Sequence, residues 1–463
     1  MKSFRLSALL ASLFPVLILC LCSSSLIAAP AVERPNILMI YLDDFGWKDA
    51  GFMGSDFFET PHLDQLAAGG MIFTHAYSGA ANCAPARACL LSGQYTPRHQ
   101  VFNVGTGPRG KTEYRRLLHV PGVDVLNPKI TTWAQLLQQS GYQTATIGKW
   151  HLSNDPLPYG FDFNIAGTHS GSPPRGYYPP HNVPGLESAP RDEYLTDRLS
   201  QEACRFIEQN VAKPWMLYLP HFAVHTPLDA KRELVAKYQA KPKGKLHHHV
   251  AMATMIEAVD TGVGQILETL SRLKLTENTV IIFYSDNGGL AGVTDMDPLR
   301  GYKGTYYEGG IRVPFFVNWP GVVTPGTTCE IPITGVDLYP TLCEIGKVQQ
   351  TDQVCDGLSI VPLLKGRYNW PERPLFWHFP AYLQASGKVE GAESRDPLFR
   401  SRPCSVVRHG PWKLLQFFED REVELYHLFD DPGESRNLAG SQPEIAEQLL
   451  ATLVTWQQQV QAL

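Results

Sequence analysis

Asn36-Ile-Leu-Met-Ile-Tyr-Leu-Asp-Asp44 is an apolar run that stops on two carboxylates. Apolar residues without alternation suit a strand buried on both faces, the habit of parallel strands covered by helices. The same texture returns at Thr144–Ile147, Trp215–Leu219, Val280–Tyr284 and Pro314–Val317. Helical patterns lie between these runs: Pro61–Ala68 behind Thr60, Trp133–Ser140 behind Thr132, and a long segment from about His249 to Leu273. Pro61 sits at a first helical position, with Thr60 as its cap. Alternating strands and helices predict an α/β fold, a large mixed, mostly parallel sheet with helices on both faces. Such sheets bind ligands beyond the carboxyl ends of their strands. Asp43-Asp44 and Asp286-Asn287-Gly288-Gly289 therefore stand where chemistry is expected.

The texture changes near Trp370. Ser405–Phe417 reads as a hairpin turning at His409-Gly410, followed by a strand at Val423–Leu428 and an amphipathic helix from about Pro443 to Val460. This predicts a small C-terminal α+β unit with an antiparallel sheet. The division expected is 1–31 as a leader, 32–369 as the catalytic domain and 370–463 as the C-terminal unit. Residues 165–195 are rich in Gly, Pro and Tyr and read as a long surface loop, a place where function often sits.

Composition narrows the class. Only 18% of the 463 residues are charged and 44% are hydrophobic, which excludes disorder, collagen and coiled coil. A formal net charge of -5 lacks the basic stripe of a nucleic-acid binder. Lys2 and Arg5, the apolar run Leu6–Cys22 and the small residues Ala28-Ala29-Pro30-Ala31 form a secretory signal peptide, expected to be cleaved and to leave no membrane anchor. The expected location is outside the cytoplasm, periplasmic or secreted. The absence of any Asn-x-Ser/Thr sequon leans toward bacterial export. Of nine cysteines, Cys20 and Cys22 lie in the leader. Cys83, Cys89, Cys204, Cys329, Cys343, Cys355 and Cys404 remain, and an odd number in an exported chain needs a reason.

Asp43, Asp44, Asp286 and Asn287 offer oxygen ligands that suit Ca²⁺ or Mg²⁺; the plainer reading is that they cap the next turn or helix. Cys83 starts the stretch Cys83-Ala-Pro-Ala-Arg87, with Pro85 in what would be a first helical turn. A cysteine there is activated by exposed amides and nearby positive charge, although spacing alone suits a disulfide equally well. His247-His248-His249 looks like a metal site or tag, but it abuts the long helix and reads as solvated.

Cys83-x-Pro85-x-Arg87, followed by Leu90-x-Ser92-Gly93, resembles the signature of the formylglycine-dependent sulfatases of the alkaline phosphatase superfamily. Asn36–Gly46, Gly148-Lys-Trp-His-Leu152, His225-Thr-Pro227, Ser285-Asp-Asn-Gly288, Lys303–Pro314, Glu424–Leu428 and Asp431–Leu438 resemble further family motifs, in the family's order. The resemblance covers almost the whole chain after the leader. It implies oxidation of Cys83 to Cα-formylglycine (3-oxoalanine) by a formylglycine-generating or anaerobic cysteine-modifying maturation enzyme. It also implies one Ca²⁺, or Mg²⁺, held by Asp43, Asp44, Asp286, Asn287 and the modified Cys83.

The implied roles follow sulfate-ester chemistry, in which cations must offset charge on an anionic group. Arg87 would stabilise the formylglycine hydrate, and Lys149 would bridge it to the sulfate. Lys303 and His225 would contact the sulfate, one of them protonating the leaving alcohol, and His151 would take the proton that releases sulfate. The expected substrate is a sulfated saccharide or polysaccharide, with His169, His378 and Arg402 as candidate contacts and loop aromatics as stacking partners. Two alternatives stand beside this. A phosphate mono- or diesterase of the superfamily would be expected to use Ser or Thr and two metals held partly by His. A non-catalytic anion- or glycan-binding relative would be expected to have lost part of the Cys83, Arg87, Lys149, His151 and Lys303 set.

Overall fold

Every residue of Asn36–Leu42 is buried, and this strand runs through the middle of an eight-stranded sheet. In the computed structural model, which describes residues 34–187, 189–385, 395 and 397–462, Arg34–Leu463 form one compact unit. The predicted leader at 1–31 lies outside the described residues. The strand order is Phe163–Ile165, Gln143–Ile147, Trp215–Pro220, Asn36–Leu42, Thr279–Ser285, Phe315–Asn318, Met71–Phe73 and Thr327–Cys329. The first five are parallel, whereas Phe315–Asn318 runs antiparallel to both neighbours. The expectation that the Pro314–Val317 run would be parallel is corrected here. Burial on both faces makes a strand apolar throughout, whichever way it points.

The two faces are two cores. Ile37, Met39 and Tyr41 point to one, with Leu90, Leu91, Trp133 and Leu342, while Leu38, Ile40 and Leu42 point to the other, with Leu63, Leu199 and Met252. Helices Cys83–Ser92, Trp133–Gln139 and Leu338–Gly346 supply the first layer; Pro61–Ala68, Leu195–Gln209 and Val250–Arg272 supply the second. Thr132 closes a capping box with Gln135, and the His249 side chain caps the long helix by accepting from Met252 N. Thr60 precedes its helix as expected, but its hydroxyl donates to Asp64 Oδ1 and accepts from Gly51 N.

Register decides where the site lies. Tyr41 is level with both Pro220 and Tyr284, and Thr146 with Tyr218, so the strand ends carrying Asp43, Asp286 and Lys149 emerge together. Near the C-terminus, Leu375–Phe379, Cys404–His409, Trp412–Phe417 and Val423–His427 form the expected antiparallel sheet. Helix Pro443–Gln459 covers one face, where Phe376 and Trp456 stack at 4.6 Å. The other face meets Tyr77 and Tyr306, and Trp377 Nε1 donates to Ser78 O.

His247 is buried, not solvated: it packs on Phe58 with ring nitrogens 3.4 Å from Asp49 Oδ1 and 3.5 Å from Asp56 Oδ1. The seven described cysteines are all free thiols, so none of the disulfides left open by the sequence forms among them.

Candidate active site

Backbone hydrogen bonds join the strand ends into one floor. Asp43 N donates to Ala223 O (3.1 Å), Val224 N to Asp43 O (2.7 Å), Asp286 N to Leu42 O (3.0 Å) and Lys149 N to Pro220 O (2.7 Å). Gly148 permits the last of these: its φ is +130°, and a Cβ there would lie 2.0 Å from Pro220 O. Asp44 and His151 adopt left-handed φ values of 59° and 66°, uncommon for residues with a side chain and typical of functional sites.

Cys83 is the first residue of a ten-residue helix buried along its whole length. Burial alone would raise its thiol pKa, but Lys149 and Lys303 outweigh that and hold it well below the ordinary value. One ligand atom each from Asp43, Asp44, Cys83 and His225 lie within 4.8 Å of one another. Asp44 N donates to Asp286 Oδ1 at 3.2 Å, and Asn287 Nδ2 donates to Asp44 Oδ1 at 2.8 Å.

Three cations neutralise this floor. Lys149 Nζ pairs with Asp43, Lys303 Nζ lies 2.6 Å from Asp44 Oδ1, and Arg87 Nη2 lies 3.0 Å from Asp286 Oδ2. Lys303 is held by its own N–H to Gly289 O, and the next residue by Gly304 N to Ala81 O. The balance is strained: burial, then the charge of Asp43, pushes Asp286 up to about 7. Burial likewise lowers His151 to about 4, despite the opposing influence of Cys83. His225 moves up, because Asp43 and Asp44 outweigh its burial and the nearby lysines.

The donor set fits a hard divalent cation. Asp43 Oδ1 and Asn287 Oδ1 are buried without any hydrogen-bond partner, and they stand among crowded carboxylates. Uncompensated buried oxygens are costly, and oxygen-rich anionic sites are the habit of Ca²⁺ and Mg²⁺.

Above the floor opens a cavity of about 620 Å³ lined by Asp44, Cys83, His151, His225 and Lys303. Arg87, Lys149, Asp43, Asp286 and Asn287 lie fully buried beneath it. The ten residues named from the sequence for catalysis and metal binding thus converge. The three named for substrate do not line the cavity. His169 lies 3.8 Å from Asp124, His378 is a core histidine bonded to Ser405 Oγ between Phe102 and Phe418, and Arg402 pairs with Glu419 at 2.6 Å. His378 and Arg402 are thus held by partners of their own, while the His169 ring lies 6.3 Å from that of His151. The loop aromatics also pack inward: Tyr177 is buried and donates to Phe222 O and His225 O. Asn103, Arg109, Leu383 and Arg400 form the wall instead, with Gly171 and Ser172 from the predicted loop. Asn103, Arg109 and Arg400 lie outside the motifs, and no periodicity marks them.

A buried cysteine at a helix head, over a carboxylate-rich strand edge ringed by Arg and Lys, fits an alkaline-phosphatase-like hydrolase of anionic esters. Residues 35–348 match the family model described as Sulfatase, and residues 302–459 match that of N-sulphoglucosamine sulphohydrolase, C-terminal. The chain belongs to the sulfatase family and hydrolyses sulfate esters. A sulfatase of Formosa agariphila is 34% identical, covering 93% of this chain and 89% of that protein. Human N-acetylgalactosamine-6-sulfatase is 29% identical, covering 94% and 87%. The crystal structure of Ps i-CgsB in complex with k-i-k-neocarrahexaose superposes with a TM-score of 0.75 at 29% identity, covering 92% and 93% of the two chains.

Proposed function

We propose that this sulfatase acts on sulfated saccharides, with Cys83 converted to formylglycine and one Ca²⁺ or Mg²⁺ on Asp43, Asp44, Asp286, Asn287 and the modified Cys83. The observation that carries this reading is the placement of Cys83, at a helix head within ligand distance of Asp43 and Asp44 and open to the cavity. The aldehyde's hydrate supplies the nucleophilic hydroxyl, and the cation supplies charge that offsets an anionic sulfate. Arg87 and Lys149 hold the buried side of the centre; Lys303 and His225 face the sulfate, one of them protonating the leaving alcohol. His151, neutral through burial, accepts the proton whose removal releases sulfate.

Saccharide specificity is supported by the oligosaccharide bound to Ps i-CgsB and by the similarity to N-acetylgalactosamine-6-sulfatase. The C-terminal unit, taken as 370–463, contributes Leu383 and Arg400 to the cavity wall. Export to the periplasm or medium, with cleavage near residue 31, belongs to the same reading, as does a cysteine-modifying maturation enzyme. The test is hydrolysis of 4-nitrophenyl sulfate against 4-nitrophenyl phosphate and defined sulfated saccharides, with mass spectrometry of the peptide containing Cys83. Sulfate turnover, an aldehyde at that position and loss of turnover in Cys83→Ala are expected. Preference for phosphate, or full turnover with an unmodified thiol, would overturn the reading.

A further inference from the structure

The cations beneath the sulfate position each have a carboxylate, but two arginines in the same cavity do not. Arg109 Nη2 donates to Val104 O at 2.5 Å; Arg400 donates from Nε to Gln384 O at 3.3 Å and from Nη1 to Lys303 O at 3.5 Å. Backbone carbonyls orient both groups without neutralising them, and neither forms an ion pair among the described residues. Arg402, two residues beyond Arg400, shows the contrast: Glu419 neutralises it.

The pair is built, not accidental. Arg109 and Arg400 come from distant parts of the chain, and Gly110 joins them by lying against Phe399. A Cβ on Gly110, whose φ is +74°, would sit 2.4 Å from the Phe399 ring. That contact locks the Arg109 loop onto the strand Phe399–Ser401, which carries Arg400. Asn103 fills the space toward the nucleophile, accepting from Asn82 Nδ2 at 3.3 Å, and Leu383 adds an apolar surface. Two like-charged guanidinium groups repel each other in a half-buried wall. Burial lowers the proton affinity of Arg400, the charge of Asp44 offsets part of this, and the charge of Arg109 adds to the lowering. An oxyanion between them would relieve this, and the planar fork of arginine matches sulfate oxygens two at a time.

We propose that Arg109 and Arg400 form a second anion subsite, which takes a second sulfate on the same saccharide while the scissile sulfate lies over Cys83. This deepens the saccharide reading and rests on it: the preferred substrate carries at least two sulfates. The hydrogen bonds of the two arginines go to Val104 O, Gln384 O and Lys303 O and none to Cys83 or the carboxylates of the floor, so the subsite sets selectivity and not the chemistry.

The test uses the full chain with Cys83→Ala, which leaves the ligand uncleaved, titrated calorimetrically at fixed ionic strength. The probes are a monosulfated disaccharide and a set of disulfated disaccharides of the same backbone, differing in the position of the second sulfate. At least one disulfated probe binds about tenfold or more tightly than the monosulfated one, as charge-assisted hydrogen bonds of this kind allow. Adding Arg109→Ala or Arg400→Ala collapses that preference, and Arg400→Lys restores part of it. Thermal unfolding of every variant identifies misfolding, and the lysine variants of both positions serve where alanine is not tolerated. Equal affinity for all probes in the parent, or a preference that survives both alanine changes, would overturn the subsite. Turnover of 4-nitrophenyl sulfate by the Cys83 protein separates the two readings. No turnover with the preference intact sinks the catalytic reading alone; turnover without the preference sinks the subsite alone.

Discussion

Arg87 donates to Asp286 Oδ2 across 3.0 Å with both side chains out of reach of solvent, and its guanidinium lies 5.0 Å from the centre of the Tyr41 ring. Removing one partner of such a pair strands the other as a buried charge, which costs about 3–5 kcal/mol. Arg87 also donates to Lys149 O at 2.8 Å, so the same change frees the segment carrying Lys149 and His151. Arg87→Ala is expected to lower the urea midpoint by a corresponding amount and kcat by at least about a hundredfold, the scale of losing one preorganised cation. A stable variant that retains normal kcat would deny Arg87 both roles.

Gly148 offers a test of backbone placement that touches no charge. With φ at +130° and Pro220 O in the position a Cβ would take, Gly148→Ala has to move the backbone of the following residues. Strain of this kind costs about 1–3 kcal/mol. The expected result is a lowered midpoint together with a fall in kcat, because Lys149 and His151 follow directly. Unchanged unfolding and unchanged kcat would show that the turn is more permissive than its geometry implies.

How much of this was legible before folding depended on the physical signal each residue carries. The floor was legible because its strands are long, apolar throughout and end on carboxylates, as at Leu42-Asp43 and Ser285-Asp286. The reversed direction of Phe315–Asn318 was not, since burial on both faces carries no direction. Strands such as Met71–Phe73 and Phe163–Ile165, three residues each, are too short for a periodic pattern. The cavity wall was illegible for a different reason. Arg109 and Arg400 gain their meaning from the Gly110–Phe399 contact, which is tertiary, while His378 looked available until Ser405 and two aromatic rings enclosed it.

Chelation provides a prediction that does not require turnover. Buried carboxylates crowd Asp43, whose Oδ1 lacks a hydrogen bond, so a bound divalent cation should stabilise the fold as well as the site. A ligand at a hundred times its Kd adds about 2.7 kcal/mol. Dialysis against EDTA should lower Tm, and titration with CaCl₂ or MgCl₂ should restore it along a saturable curve. Asp43→Asn should flatten that curve. If Tm ignores both the chelator and the added ions, no divalent cation is held there.

Outside the lining of the cavity, Lys413 Nζ lies 3.0 Å from Glu308 Oε1 and 2.9 Å from Glu434 Oε1, with all three side chains fully buried. One ammonium between two carboxylates does not serve both equally. Burial raises Glu434 to about 7, helped by the charge of Glu308 and only partly opposed by Lys413. For Glu308, burial is outweighed by Lys413, Arg312 and Arg408, which lower it to about 2. The signs differ accordingly. Glu434 keeps a proton in the folded chain that the unfolded chain, with an ordinary glutamate pKa of about 4.3, has released. Its contribution is therefore complete below about pH 4.3 and is lost as pH rises toward 7. Glu308 does the reverse, losing its contribution only as pH falls from the ordinary range toward 2. Between pH 5 and 7.5 Glu308 does not titrate. His75, which burial beside Arg312 and Arg408 lowers to about 3, contributes with the opposite sign but alike in parent and variant. The difference between them therefore isolates Glu434, with a size on the order of 1–3 kcal/mol. Glu434→Gln keeps the shape and removes the titration. Urea midpoints across that window should fall less steeply with pH in the variant than in the parent, and parallel curves would mean that Glu434 is already ionised at pH 5.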